Sequence, residues 1–156
     1  MNFVSPSKGR LSLEEVFNDI MAFMEEIPGD CYKIIIGTDS HVKNDTCFVT
    51  AIIVHRVGRG ARYYYRKKRQ RKIESLRQKI FYETALSLDT AGKVAEHLAK
   101  SGHGDMDLEI HLDIGPHGDT KELIREVVGM VIGSGFDAKI KPNSSGASTV
   151  ADKYTK

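Results

Sequence analysis

Asp39, Asp113, Glu83 and Asp152 are the residues whose types and spacing point to chemistry. Asp39 follows the β-rich run Tyr32 to Thr38, and Asp113 closes the alternating run Asp107 to Leu112. Glu83 lies in register with Ile80 and Ser87, on a stripe that continues through Ala91, Val94 and Leu98 and begins at Leu76. Asp152 sits among Val150, Ala151 and Tyr154 near the C-terminus. Taken singly, each has an ordinary structural reading. Asp39 and Asp113 suit Asx-turns or helix caps, Glu83 suits an edge residue reaching solvent, and Asp152 suits a surface acid beside Lys153. Taken together, they are four carboxylates with no soft ligands, and carboxylates that converge repel one another unless a cation lies between them. An all-oxygen set of this kind suits Mg²⁺ or Mn²⁺.

The elements that must position these groups can be read from periodicity and punctuation. Ser12 and Glu15 form a capping-box pattern, and a helix over 12–27 follows, stopped by Pro28-Gly29. Three strands come next. The first contains Ile34-Ile35-Ile36, an unbroken apolar run expected of a strand covered on both faces. The second runs from Cys47 to His55, and the third carries Arg62 to Lys72. A long helix from about Ile73 to Lys100 leads to a fourth strand over Leu108 to Leu112. Asp119 or Thr120 can cap a helix reaching Ile132, Phe136 to Lys141 forms a short fifth strand, and a last helix closes the chain. The helical crossover after the third strand sets strand four parallel to strand one. The expected fold is α/β: a five-stranded mixed sheet, a three-stranded antiparallel meander plus two parallel strands, with helices on both faces and an extra N-terminal helix. Residues 1–156 are read as a single domain. Asp39 and Asp113 then lie at the carboxyl ends of neighbouring parallel strands, where sites form in such sheets.

The segments Ile36-Gly37-Thr38-Asp39-Ser40-His41, His111-Leu112-Asp113-Ile114-Gly115 and Val150-Ala151-Asp152-Lys153-Tyr154-Thr155, in this order of elements, resemble the RNase H-like nuclease superfamily. More narrowly they are similar to the bacterial YkuK-type family of predicted RNase H-related nucleases. The resemblance implies a metal-dependent nuclease that hydrolyses phosphodiester bonds of RNA or DNA with two Mg²⁺ or Mn²⁺ ions. Asp39 would bridge the ions, with Glu83 and Asp113 on one and Asp152 on the other, about 3.5–4 Å apart. Ser40 and His41 would stand beside the substrate, and cleavage would leave a 5′-phosphate.

Charge distribution bears on the partner. The chain has 156 residues with 23 Lys+Arg, 21 Asp+Glu and a formal net charge of +2, which by itself disfavours a strongly basic nucleic-acid binder. Arg62 to Lys72 holds seven of those cations and no acid, which leaves 16 basic and 21 acidic residues elsewhere. Arg66, Lys67, Lys68 and Arg69, interleaved with Tyr63, Tyr64 and Tyr65, are candidate contacts to RNA, DNA or a hybrid. The competing reading is an edge strand protected by charge.

Other signals are weaker. His117, in the loop Gly115 to Gly118, is a candidate proton-transfer group, and an exposed loop histidine is the simpler reading. His111 with Asp113 and His41 next to Asp39 offer transition-metal ligands, but no closed zinc spacing accompanies them, and Cys31 and Cys47 form no set. The loop lacks the P-loop pattern, and Ser40 lacks a nucleophile elbow. Hydrophobic residues make up 40% of the chain, without an apolar run of the ~18 residues a membrane span needs and without an apolar leader. A cytoplasmic protein with no membrane contact is expected. Two further functions fit the same residues: a nucleic-acid-binding module of this fold with little or no catalysis, and a small-molecule phosphohydrolase using the same carboxylates. The last requires a closed pocket too small for a polymer.

Overall fold

A computed structural model describes residues 1–144, 150–151 and 153–155. The first structured residues form a hairpin, β1 (Asn2–Ser5) and β2 (Gly9–Ser12), and α1 (Leu13–Glu26) follows directly. Ser12 caps α1 by the expected reciprocal pair: its Oγ accepts from the Glu15 amide at 3.1 Å, and the Glu15 carboxylate accepts from the Ser12 amide at 3.0 Å. The meander is β3 (Tyr32–Val42), β4 (Thr46–Arg56) and β5 (Ala61–Gln70). After it come α2 (Leu76–Lys100), β6 (Asp107–His111), a 3-10 turn at Lys121–Leu123, α3 (Ile124–Gly133) and β7 (Asp137–Lys139). Residues 150–151 and 153–155 are also helical.

The sheet has seven strands in the order β2-β1-β5-β4-β3-β6-β7, so the expectation of five is corrected. The added pair is the N-terminal hairpin, whose strands are only four residues long and carry little apolar pattern. Phe3 anchors it, fully buried in the main core, and Gly9 (φ 76°) closes its turn. The β3–β6 and β6–β7 pairings are parallel, and the remaining pairings are antiparallel. A second correction concerns β3, which runs on to Val42. Asp39 therefore lies within the strand, because β4 pairs with it as far as Val42↔Thr46, across the turn at Lys43 to Asp45. Among the helices, α3 starts later than expected and has no side-chain cap, since Thr120 Oγ1 accepts from the Gly115 amide instead. Leu76, placed on the buried stripe by its spacing, is exposed at the first turn of α2.

Ile34 and Ile36 face one way with Ile52, Val54, Leu108 and Ile110, and the apolar faces of α1, α2 and α3 close over them in one cluster. Ile35 and Ile53 face the other way and pack with Tyr63 and Val150. Cys47, Val49 and Ala51 on that second face meet Ala151 and Tyr154. The triple isoleucine is thus covered on both faces, as its sequence suggests.

One buried charge pins the hairpin, α1 and β5 together. Asp19 of α1 accepts hydrogen bonds from Lys8 and from the Tyr64 hydroxyl, and Arg62 stands 3.5 Å away. Burial works against the charge on Asp19, but the bonds from Lys8 and Tyr64 and the charges of Lys8 and Arg62 prevail and hold its pKa below the ordinary carboxylate value. Burial and the same carboxylate push the Tyr64 phenol far up, so it stays a donor. A Tyr64→Phe substitution removes a charge-assisted bond and should lower stability by about 1.5–3 kcal/mol in urea unfolding. An unchanged midpoint would show that Lys8 and Arg62 suffice.

Candidate functional site

Asp39 and Asp113 come from neighbouring parallel strands, Asp39 within β3 and Asp113 just past the end of β6. Gly37 of β3 pairs with His111 of β6, and His111 pairs with Lys139 of β7. Two residues further along each chain stand Asp39, Asp113 and Lys141. Past these pairs the regular ladder is interrupted: the Leu112 amide donates to the Lys139 carbonyl, but the Lys141 amide donates to the Ile114 carbonyl instead of that of Leu112, each at 2.8 Å, so Asp113 lies in a local bulge. On the opposite side Asp39 pairs with Val49, and Val49 pairs with Lys67. Directly paired residues share a face of the sheet. One row of paired residues therefore runs Lys67, Val49, Asp39, and Asp113, with Lys141, stands next to it, just past the last pairs of β6 and β7.

Glu83 approaches from α2 on the other face of β3, the one that carries Thr38 and Ser40, because a hydroxyl chain sets the helix on the sheet. Thr38 Oγ1 lies 2.8 Å from Ser87 Oγ and 3.0 Å from Thr50 Oγ1. One helical turn back from Ser87 is about 6 Å, and two residues forward on β3 is about 6.7 Å. The next pair in line is thus Glu83 with Ser40, and Ser40 Oγ donates to Glu83 Oε2 at 2.5 Å. Glu83 is only 7% exposed. Burial pushes its pKa up to about 8; the Ser40 bond opposes this, and the charges of Asp39 and Asp113 add to it. A neutral Glu83 is the resting state when the only other charges nearby are those of the protein.

Lys141 has no signal of its own in the sequence beyond ending the fifth strand. In the structure its Nζ stands 2.8 Å from Asp113 Oδ1. That hydrogen bond, and the charges of Asp113, Asp39 and Glu83, raise its pKa. Gly115 makes room for it: a Cβ there would lie 3.0 Å from the Lys141 Cβ. Register is the feature that could have found it, since Lys141 follows β7 at the same offset by which Asp113 follows β6.

The remaining candidates separate. Asp152 lies outside the described residues. Among the described residues, no three His, Cys, Asp or Glu side chains stand close enough to hold one ion together. Glu83 nonetheless feels the charges of Asp39 and Asp113, and the Lys141 ammonium stands against Asp113. Ser40, expected beside the substrate, instead binds Glu83. His41 is half-buried in β3 opposite Cys47, and His117 is exposed in its loop. His111 is buried and bonds Glu109 through Nε2 at 3.1 Å, and Glu109 also pairs with Lys33. The basic strand alternates: Arg66 and Lys68 share the face of Ser40, while Lys67 and Arg69 share that of Asp39. Lys68 lies over the Tyr82 ring, and Arg69 stands 3.5 Å from Asp45. Arg66 and Lys67 make no ion pair among the described residues.

Comparison with known proteins adds a lineage. A family model described as "Ribonuclease H-like" matches residues 15–156. A Bacillus subtilis (strain 168) protein named "Uncharacterized protein YkuK" is 39% identical over 166 residues, which cover 99% of this chain and 96% of that protein. No solved structure matches the chain at a significant level.

The raised pKa of Glu83 has a signed consequence for stability. Between pH 4.5 and about 8 the folded protein holds a proton on Glu83 that the unfolded chain releases. This group's contribution is therefore present below pH 4.5 and is lost as pH rises, by up to about 1.4 kcal/mol per pH unit, until about pH 8. Glu83→Gln keeps an acceptor for Ser40 without the ionisation. In chelator, its urea midpoint should overtake that of the parent as pH rises from 5 to 8, by up to the ~1.4 kcal/mol per unit that one proton allows. Parallel pH curves for the two proteins would contradict a buried, neutral Glu83.

Proposed function

The chain belongs to the ribonuclease H-like family, and from that premise we propose that it is a metal-dependent nuclease hydrolysing phosphodiester bonds of RNA or DNA. The observation that carries the reading is the meeting of three acids from separate elements: the charges of Asp39 of β3 and Asp113 after β6 act on buried Glu83 of α2, with Asp39 in register with Lys67 of the basic strand. The donors fit a hard divalent ion, because all are carboxylate oxygens, their mutual repulsion is relieved by a cation, and burial makes the charge on Glu83 costly without one. Asp39, Glu83 and Asp113 would hold Mg²⁺ or Mn²⁺, with Asp152 the fourth candidate and two ions the expected number. Such ions supply Lewis acidity, lowering the pKa of water and stabilising a leaving oxygen.

The chain's own residues do the remainder. Ser40 orients Glu83 by its hydrogen bond, at a place where the charges of Asp39 and Asp113 act on it. Glu83 is the carboxyl that would be held ionised only with a cation beside it, since burial and the charges of Asp39 and Asp113 otherwise favour its protonated form. Lys141 neutralises Asp113 and must yield that oxygen to any competing cation. Lys67, which makes no ion pair among the described residues and shares the face of Asp39, is placed to hold a phosphate beside the row, and Arg66, also without an ion pair there, lies next to it on the same strand. A small-molecule phosphohydrolase is less well supported. The crevice bounded by Thr38, Glu83, Ser87 and Asp113 has room for a water, and no enclosed pocket shaped for a metabolite is lined by both Asp39 and Asp113 among the pockets of the described residues.

Labelled RNA, DNA and hybrid incubated with Mg²⁺ or Mn²⁺ test the proposal. Asp39→Asn should lower cleavage about 100-fold or more. Activity equal to the parent would place the cleavage elsewhere, and binding without cleavage by the parent would favour a binding module. Lys141→Met should tighten Mn²⁺ binding several-fold, read by the rise in melting temperature with added Mn²⁺, because the tethered ammonium no longer competes for Asp113. An unchanged Mn²⁺ dependence would remove Lys141 from the ion's surroundings.

A further inference from the structure

The β1–β2 hairpin lies outside residues 15–156, the part of the chain that matches the family. It adds two strands to the sheet, yet it joins β5 through one register pair, Val4↔Tyr65. By contrast, β4 follows β5 along the whole length from Gln70 to Ala61. Beyond Tyr65 the hairpin and β5 diverge, and an open groove lies between them. Its lining includes Val4, Arg10, Tyr65, Arg66 and Lys67, and no carboxylate.

The cations of this groove differ from their neighbours. Lys8 and Arg62 are engaged by Asp19, Arg69 by Asp45 and Lys72 by Glu74. Arg10, Arg66 and Lys67 make no ion pair among the described residues. Tyr65 is committed elsewhere, its ring stacked on Tyr154 at 3.7 Å between centroids. The groove thus offers charge on a rigid floor rather than a free aromatic face. Lys67 also shares its face and row with Asp39, two strands away, or about 9–10 Å between backbones.

We propose that this groove is a phosphate-binding subsite that holds the backbone of the nucleic-acid strand to one side of the scissile phosphate, with Arg10 of the hairpin and Arg66 and Lys67 of β5 as its cations. The inference rests on the nuclease reading and extends it: the hairpin lengthens the substrate footprint beyond the carboxylates. Recognition here is of phosphate, independent of base sequence, and steeply dependent on salt.

The test uses the full chain carrying Asp39→Asn, so that substrate survives, and a fluorescent single-stranded oligonucleotide of about 20 nucleotides followed by anisotropy across a salt series. Adding Arg10→Gln and Lys67→Gln together should weaken binding about tenfold and reduce the slope of log K against log salt by about 0.7 for each phosphate no longer neutralised. Arg10→Glu should weaken it further. Arg125→Gln, an exposed cation of α3 far along the chain from the groove, should change neither quantity. Thermal melts of each variant establish folding, which substitutions at exposed Arg10 and Lys67 should leave intact. If the Asp39→Asn parent fails to bind at all, the nuclease reading falls and the groove with it. If the parent binds and the double variant matches its affinity and slope, the groove alone is wrong.

Discussion

The contact between Thr38 and Ser87 is the constraint on which the candidate site depends. A long helix laid on a sheet can slide by a turn at modest cost if only apolar side chains meet. Two buried hydroxyls remove that freedom, because a slip of one turn would break their bond and take Ser87 away from its partner in a dry interface. Thr50 extends the chain to β4, so helix, strand and neighbouring strand share one register. Once that register is set, the near-equality of one helical turn and two strand residues delivers Glu83 to Ser40 without further adjustment. The buried polar stripe of α2, which continues through Thr84 and Thr90, aligns the helix as much as the apolar residues hold it.

The same arithmetic explains why Glu83 is energetically exposed to its surroundings. It lies under a lid of protein, bonded by one hydroxyl and facing two like charges. A carboxylate so placed is costly to ionise, and the fold retains it at a position where an apolar residue would pack more easily. Sites that violate local preference in this way are where function is to be sought.

Much of this was legible in the sequence, and the reasons differ residue by residue. The capping box at Ser12 and the run Ile34 to Ile36 are local signals, and the structure carries both. Glu83 was legible because its spacing to Ile80 and Ser87 is helical, although its partner Ser40 was not, since a hydroxyl next to an aspartate suggests substrate before it suggests support. The hairpin escaped because strands of four residues with a single buried aromatic have no measurable period. Lys141 escaped because its meaning lies in the register of β6 and β7, which depends on a crossover and not on neighbours in the chain. The division of the basic strand between two faces follows from alternation. Which cations remain unpaired among the described residues depended on acids distant in sequence, such as Asp19 and Asp45.

The row from Lys67 to Asp39, with Asp113 and Lys141 next to it, has a property that its members lack individually. Cations stand at both ends and carboxylates in the middle, with Glu83 neutral alongside, so the charges nearly cancel when viewed from afar. Fields of such an arrangement decay faster than those of a net charge, and ions in solution shorten their reach still further. An approaching polyanion would therefore meet the flanking cations before it sensed the acids between them. At contact distance the order reverses, and the central oxygens favour a small cation. Attraction of opposite kinds of ion is thereby separated by range instead of by location.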